Sequence, residues 1–203
     1  MKAVYVHGLG SDPEDPLLRT VSRTVPLEPV FVEYSSLYER PGWPEEVLSV
    51  VKEQIPEEEH VFITHSFGGP LAAFLQNRLT RAIVFLAPAF SVNMGLRFTL
   101  LAEAARRGHA YFESRRGVWL TTGDMNTVFR LMQRAPTATV PFAILVGEED
   151  LIVDNRAARA YFHKSNEKKS WFVEIAGTGH MFLEREQDVA AIVRAFLESL
   201  KII

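Results

Sequence analysis

Apolar residues along this chain come in short continuous runs. Six stand out: Ala3–Val6, Val30–Val32, Val61–Ile63, Ala82–Leu86, Phe142–Val146 and Trp171–Val173. A strand with one wet face alternates apolar and polar residues. A strand covered on both faces does not, and parallel strands sit that way between helices. The stretches between the runs switch to helical spacing. A helix is predicted from Trp43 to about Ile55, after Pro41-Gly42, with Val47, Val50 and Val51 at helical spacing. Pro70 falls near the start of the Phe67–Asn77 segment, where a first-turn proline is tolerated. Asp154 is placed to cap a helix over Asn155–His163. Val189, Ile192, Val193, Phe196 and Leu197 share one face of a last helix, from Glu184 to about Leu200. Alternating strands and helices predict an α/β fold, a mainly parallel sheet of about six strands flanked by helices. Right-handed crossovers then gather the strand C-termini on one edge, where ligands bind.

One stretch breaks the alternation. No strand is predicted between Ser91 and Val140. Leu96, Leu100, Leu101 and Ala104-Ala105 suggest one helix, and Val128, Leu131 and Met132 another. About fifty residues without a strand is too long for a plain loop. The stretch reads as a short helical cap over the sheet edge. The chain then divides into a core, residues 1–90 and 141–203, and a cap, residues 91–140.

Composition narrows the function classes. The 203 residues suit one domain, and 47% apolar with 23% charged residues is ordinary for a globular chain. A net charge of −3 and a pI near 6.1 argue against a nucleic-acid partner. The absence of cysteine excludes a thiol nucleophile, a disulfide frame and cysteine-ligated zinc. No cofactor or metal is expected. Met1-Lys2 leads straight into a short apolar run, without the longer stretch of a signal peptide, and no window is apolar enough to span a membrane. A cytoplasmic protein is expected. The charge is uneven, because residues 91–140 carry seven arginines against three acids: Arg97, Arg106, Arg107, Arg115, Arg116, Arg130 and Arg134. These form either a solvated cap surface or a patch that steers an acidic substrate. Phe90, Met94, Phe98, Leu100, Phe129 and Met132 could give the cap an apolar underside.

Four local patterns carry chemistry. In Val61-Phe62-Ile63-Thr64-His65-Ser66-Phe67-Gly68-Gly69 a buried run ends in a serine, then a glycine and a helical segment. This is close to the G-x-S-x-G elbow, whose tight strand-to-helix turn lifts a serine hydroxyl above the sheet. The serine would stand at a helix N-terminus, where N–H groups favour developing negative charge. In Val6-His7-Gly8-Leu9-Gly10 two glycines free the backbone to present N–H groups, so the Leu9 amide could join that of Phe67 in an oxyanion hole. Neither a dinucleotide fingerprint nor a P-loop is present. Past the Phe142–Val146 run, Asp150 suits an acid on the same edge as Ser66; Glu148 and Glu149 read as solvated, and Asp154 as a helix cap. Asp124 is a rival acid, although its place before a helical run favours a cap. In Ala176-Gly177-Thr178-Gly179-His180-Met181 glycines flank a histidine in the last strand–helix loop, a setting that suits a general base. His7, Gly8, His65 and Met181 adjoin these patterns and are candidate substrate contacts. His60, His109 and His163 read as structural or exposed.

Serine, then acid, then histidine, each after a strand, is the chain order of the α/β-hydrolases. The sequence resembles that superfamily over nearly its whole length, through Thr64-His65-Ser66-Phe67-Gly68-Gly69, the His7-Gly8 turn, Asp150 and Gly179-His180. The resemblance implies catalytic Ser66, Asp150 and His180, oxyanion donors at Leu9 and Phe67, and a cap after the sixth strand of the family fold, where residues 91–140 lie. It implies a serine hydrolase acting on a small-molecule carboxylic ester. Thioester or C–C bond hydrolysis, or a non-catalytic binding module of the same fold, are the other classes it admits. Two departures stand out. Thr64 replaces the first glycine of the elbow, and the family's usual N-terminal antiparallel strand pair is expected to be missing.

Overall fold

A computed structural model describes residues 1–112, 115–165 and 167–203, with only the backbone at Phe112. Six strands form one sheet: β1 (Lys2–Val6), β2 (Glu28–Phe31), β3 (His60–His65), β4 (Thr80–Leu86), β7 (Phe142–Gly147) and β8 (Trp171–Ile175). Their order is β2-β1-β3-β4-β7-β8 and every pairing is parallel. Each apolar run of the sequence falls within or beside one of these strands. Their continuity has the predicted cause: all six residues of β3, and all six of β7, are buried.

The pleat sorts these residues into two cores. Val4, Val6, Phe62, Phe85, Phe142 and Ile144 face α2 (Trp43–Glu53), α3 (Gly68–Leu75) and α6 (Asn155–Lys164). Ala3, Tyr5, Val61, Ile63, Val84 and Leu145 face α1 (Pro16–Ser22) and α7 (Glu186–Ser199). Alternate side chains thus bury on opposite faces. Each fully buried Leu, Val or Phe contributes about 1.5–3 kcal/mol by leaving water.

The cap segment differs from expectation. Its two helices are α4 (Met94–Arg107) and α5 (Thr122–Arg134), but between them lies an antiparallel hairpin of β5 (His109–Phe112) and β6 (Val118–Thr121). Among the described side chains of this hairpin, Ala110, Val118 and Leu120 are buried, while Tyr111 and Trp119 are exposed. Four-residue strands with one wet face leave too short an alternation to stand out in the sequence. The helix α1, only seven residues long, is too short for its periodicity to stand out in the sequence. Among the described residues, no helix is long and apolar enough to cross a membrane.

Candidate active site

The edge formed by the strand C-termini gathers the chemistry. β3 ends at His65, and Ser66 takes a left-handed backbone with φ of 52°. A non-glycine residue in that region is strained and persists only where its surroundings enforce it. Here the Ser66 N–H donates to the Leu86 carbonyl (2.9 Å), and the Ser66 carbonyl accepts from the Gly69 and Ala89 amides (3.0 Å each). Gly68 is a steric requirement, since a Cβ there would lie 2.2 Å from the Val6 carbonyl oxygen. Thr64 does not loosen the turn: its buried hydroxyl donates to the Val84 carbonyl at 3.0 Å, bonding the elbow strand to β4.

Two further loops converge on the serine. Asp150 follows β7, and its Oδ1 accepts from the Ile152 and Val153 amides at 2.8 and 3.0 Å. Its Oδ2 lies 2.8 Å from His180 Nδ1, and His180 Nε2 lies 2.9 Å from Ser66 Oγ. The acid and histidine loops approach closely because position 147 is glycine; a Cβ there would lie 2.4 Å from the Gly179 carbonyl oxygen. Burial alone would raise the Asp150 carboxyl, but the hydrogen bond from His180 and the two amides holds it below its ordinary range. Burial lowers the His180 ring below its ordinary value, against the pull of Asp150. The ring is therefore neutral near pH 7, as a proton acceptor must be.

The other candidate acids are helix caps. Asp124 Oδ2 accepts from the Thr121 amide and hydroxyl in a capping box at the start of α5, and its Oδ1 accepts from the Gly42 amide at 2.9 Å. Asp154 accepts from the Arg156 amide at the start of α6.

A cavity of about 410 Å³ opens over Ser66. Gly8, Leu9, His65, Ser66, His180 and Met181 form its floor. Leu96, Leu100, Leu120, Met125, Val128, Phe129 and Met132 of the cap segment form an apolar roof, with Arg115 beside them. Leu9 lines the cavity, and Phe67 caps the N-terminus of α3; neither amide is engaged by a turn or loop carbonyl among the described residues. His7 is a correction to the expected substrate contacts. It is buried outside the cavity, stacked on Tyr34 with ring centroids 4.0 Å apart, and its Nδ1 lies 3.0 Å from the Gly8 carbonyl oxygen. It shapes the Gly8 turn from behind. Gly8, His65 and Met181 do line the cavity.

Asp15, which none of the four sequence patterns includes, also lines the cavity and accepts a hydrogen bond from His65. Asp15-Pro16 followed by Leu17-Leu18 was the available signal, an N-cap with proline at the first helical position. The cap arginines mostly have partners. Arg115 and Arg116 reach Asp12 Oδ2 at 3.2 and 2.6 Å, and Arg130 reaches Glu45 at 3.3 Å. Among the described residues, no group of three or more His, Cys, Asp or Glu is disposed to hold a metal.

The whole arrangement has counterparts among known proteins. A sequence model described as "Alpha/beta hydrolase family" matches residues 3–193. A crystal structure of monoacylglycerol lipase from Paleococcus ferrophilus is 18% identical, with a TM-score of 0.71 over 98% of this chain and 94% of that one. Alpha/beta hydrolase domain-containing protein 10 from mouse is 16% identical, with a TM-score of 0.75 over 98% and 90% of the two chains. Est1E from Butyrivibrio proteoclasticus is 17% identical, with a TM-score of 0.67 over 99% and 88%. No curated protein sequence matches significantly. At these identities the solved structures speak for the fold alone, while the family model spans nearly the entire sequence: the chain belongs to the alpha/beta hydrolase family.

Proposed function

We propose that this protein is a serine hydrolase that cleaves a carboxylic ester carrying an apolar acyl group. One observation carries the reading: an unbroken hydrogen-bond chain runs from Asp150 through His180 to Ser66 on the floor of an apolar cavity. His180 Nε2 takes the Ser66 proton as Oγ attacks the ester carbonyl. Asp150 holds the Nδ1–H tautomer and stabilises the imidazolium that forms. The Leu9 and Phe67 amides receive the oxyanion. His180 then returns its proton to the departing alkoxide, leaving an acyl-Ser66 ester. Water, deprotonated by the same ring, attacks that ester; the acyl–Oγ bond breaks, His180 returns the proton to Ser66 Oγ and the acid leaves. The roof of α4, β6 and α5 offers no charge to the acyl chain, so a neutral chain is the group it accommodates.

A fluorophosphonate probe should label the protein, and Ser66→Ala should abolish labelling without loss of folding. Nitrophenyl esters of increasing acyl length should show a rising and then falling kcat/KM as the chain fills and then exceeds the cavity. A folded protein that shows no Ser66-dependent labelling would overturn the assignment.

A further inference from the structure

Beside the Ser66–His180–Asp150 array lies a second histidine–aspartate couple that the proposed chemistry does not use. His65 closes β3 one residue before Ser66, and Asp15 caps α1; both side chains are buried. His65 Nδ1 lies 3.0 Å from Asp15 Oδ2, and His65 Nε2 lies 3.2 Å from the backbone carbonyl oxygen of His180. Asp15 receives three further donors. The Leu17 and Leu18 amides reach its Oδ1 at 3.1 and 3.2 Å, and the Ser11 hydroxyl reaches its Oδ2 at 3.0 Å. Donors of that number hold a carboxylate ionised even when buried.

Both nitrogens of His65 therefore face acceptors. A neutral imidazole has one N–H and one lone pair. Either tautomer would aim its lone pair at an oxygen, in a place where His65 is only 2% exposed and water offers no relief. The imidazolium alone makes both hydrogen bonds.

We infer that His65 is a positively charged positioning residue, which ties the His180 loop to the elbow strand through its Nε2–H and, by its charge, keeps the His180 ring neutral and ready to accept the Ser66 proton. The inference rests on the proposed function only in naming His180 as the base. The two rings lie with centroids 5.2 Å apart, within reach of a strong like-charge effect.

The surrounding charges agree with this arrangement. Burial would lower the His65 ring, but Asp15, with a smaller pull from Asp150 past β7, raises it above its ordinary value. Burial lowers His180 and the His65 charge lowers it further, against Asp150 and Asp15. His7, at the end of β1, is lowered by burial and adds no charge near pH 7. Arg115, on the same cavity, is paired with Asp12.

Nitrogen-15 NMR of the histidine rings tests the inference in the wild type, His65→Gln and the Asp15→Asn/His65→Gln double variant. Wild-type His65 should show both nitrogens protonated near neutral pH. His65→Gln removes the cation and strands the Asp15 anion, so the His180 titration should move up by about one pH unit. The acid limb of kcat/KM should move with it. Removing Asp15 as well should bring the titration back towards the wild-type value. A purely structural role would lower the melting temperature and leave the His180 titration in place. A neutral wild-type His65, or a His180 titration unmoved in His65→Gln, overturns the inference. The wild-type spectrum requires neither a folded variant nor turnover. A failure to hydrolyse esters would count against the proposed function and leave this measurement standing.

Discussion

The floor and the roof of the cavity are built on opposite principles. The floor consists of strand-end loops whose backbones are fixed by close contact: Ser66 at φ 52°, Gly68 against the Val6 carbonyl, Gly147 against the Gly179 carbonyl. Its polar groups are buried and satisfied in pairs, His180 with Asp150 and His65 with Asp15. The roof presents apolar side chains to the cavity and is tied down by guanidinium groups that stand half-exposed, Arg115 and Arg116 on the buried Asp12 and Arg130 on Glu45 of α2. Pairs buried on both sides hold a fixed geometry, whereas pairs with an exposed member contribute less and are more open to screening by salt. On the proposed function, the floor is suited to chemistry and the roof to selection. Changes in the floor should alter rate, and changes in the roof should alter preference.

The largest effect should come from Asp150→Asn. The Asn carbonyl can keep the bonds from Ile152 and Val153, but its amide would face His180 Nδ1. That forces the opposite tautomer, with Nε2–H turned towards Ser66. A fall in kcat of about 10⁴-fold with near-normal folding is expected, measured by steady-state kinetics beside thermal melting. A fall below tenfold would mean that the floor is not the catalytic half. The pH profile sharpens the same point. Because burial holds His180 below its ordinary value, kcat/KM should be lost only as pH falls through a midpoint below 6.5. A midpoint above 7 would contradict the neutral ring.

The same division explains what could be read from the chain alone. The parallel sheet was legible because burial on both faces leaves continuous apolar runs such as Phe142–Val146. The meeting of Ser66, Asp150 and His180 on one edge was legible because each follows such a run with glycine nearby. For Asp15 the local pattern offers only a helix cap, and no local pattern encodes its contact with His65, 50 positions away. The hairpin was hidden because exposed Tyr111 and Trp119 break the apolar signal of two four-residue strands. His7 stood beside the glycine turn in sequence, yet its ring turned away to stack on Tyr34.

Intermediate effects belong to the roof. Leu120 is nearly buried and lines the cavity from β6, so Leu120→Trp should shorten the space above Ser66. The ratio of kcat/KM for long over short acyl esters should fall about tenfold, since each methylene in an apolar pocket is worth roughly 1–3 kcal/mol of discrimination. An equal loss on all chain lengths would show that the roof, too, participates in rate.

The smallest effect concerns the tie between the halves. Asp12 is 2% exposed and accepts from both Arg115 and Arg116, while the Arg116 amide donates to the Gly10 carbonyl beside the Leu9 turn. The basic surplus of the cap segment thus finds part of its balance in acids of the core. Asp12→Asn should remove the charge from this tie and leave the hairpin held by backbone bonding. Wild-type kcat/KM should change only about two- to fivefold between low salt and about 1 M salt, because the guanidinium ends are open to screening while the buried Asp12 carboxylate is screened less. The variant should respond less, and neutral and anionic esters should behave alike in both proteins. A variant with undiminished salt response would mean the ion pairs do not hold the roof. Selective loss of anionic esters in the Arg106, Arg107, Arg115 and Arg116 replacements would return those arginines to a role in steering substrate.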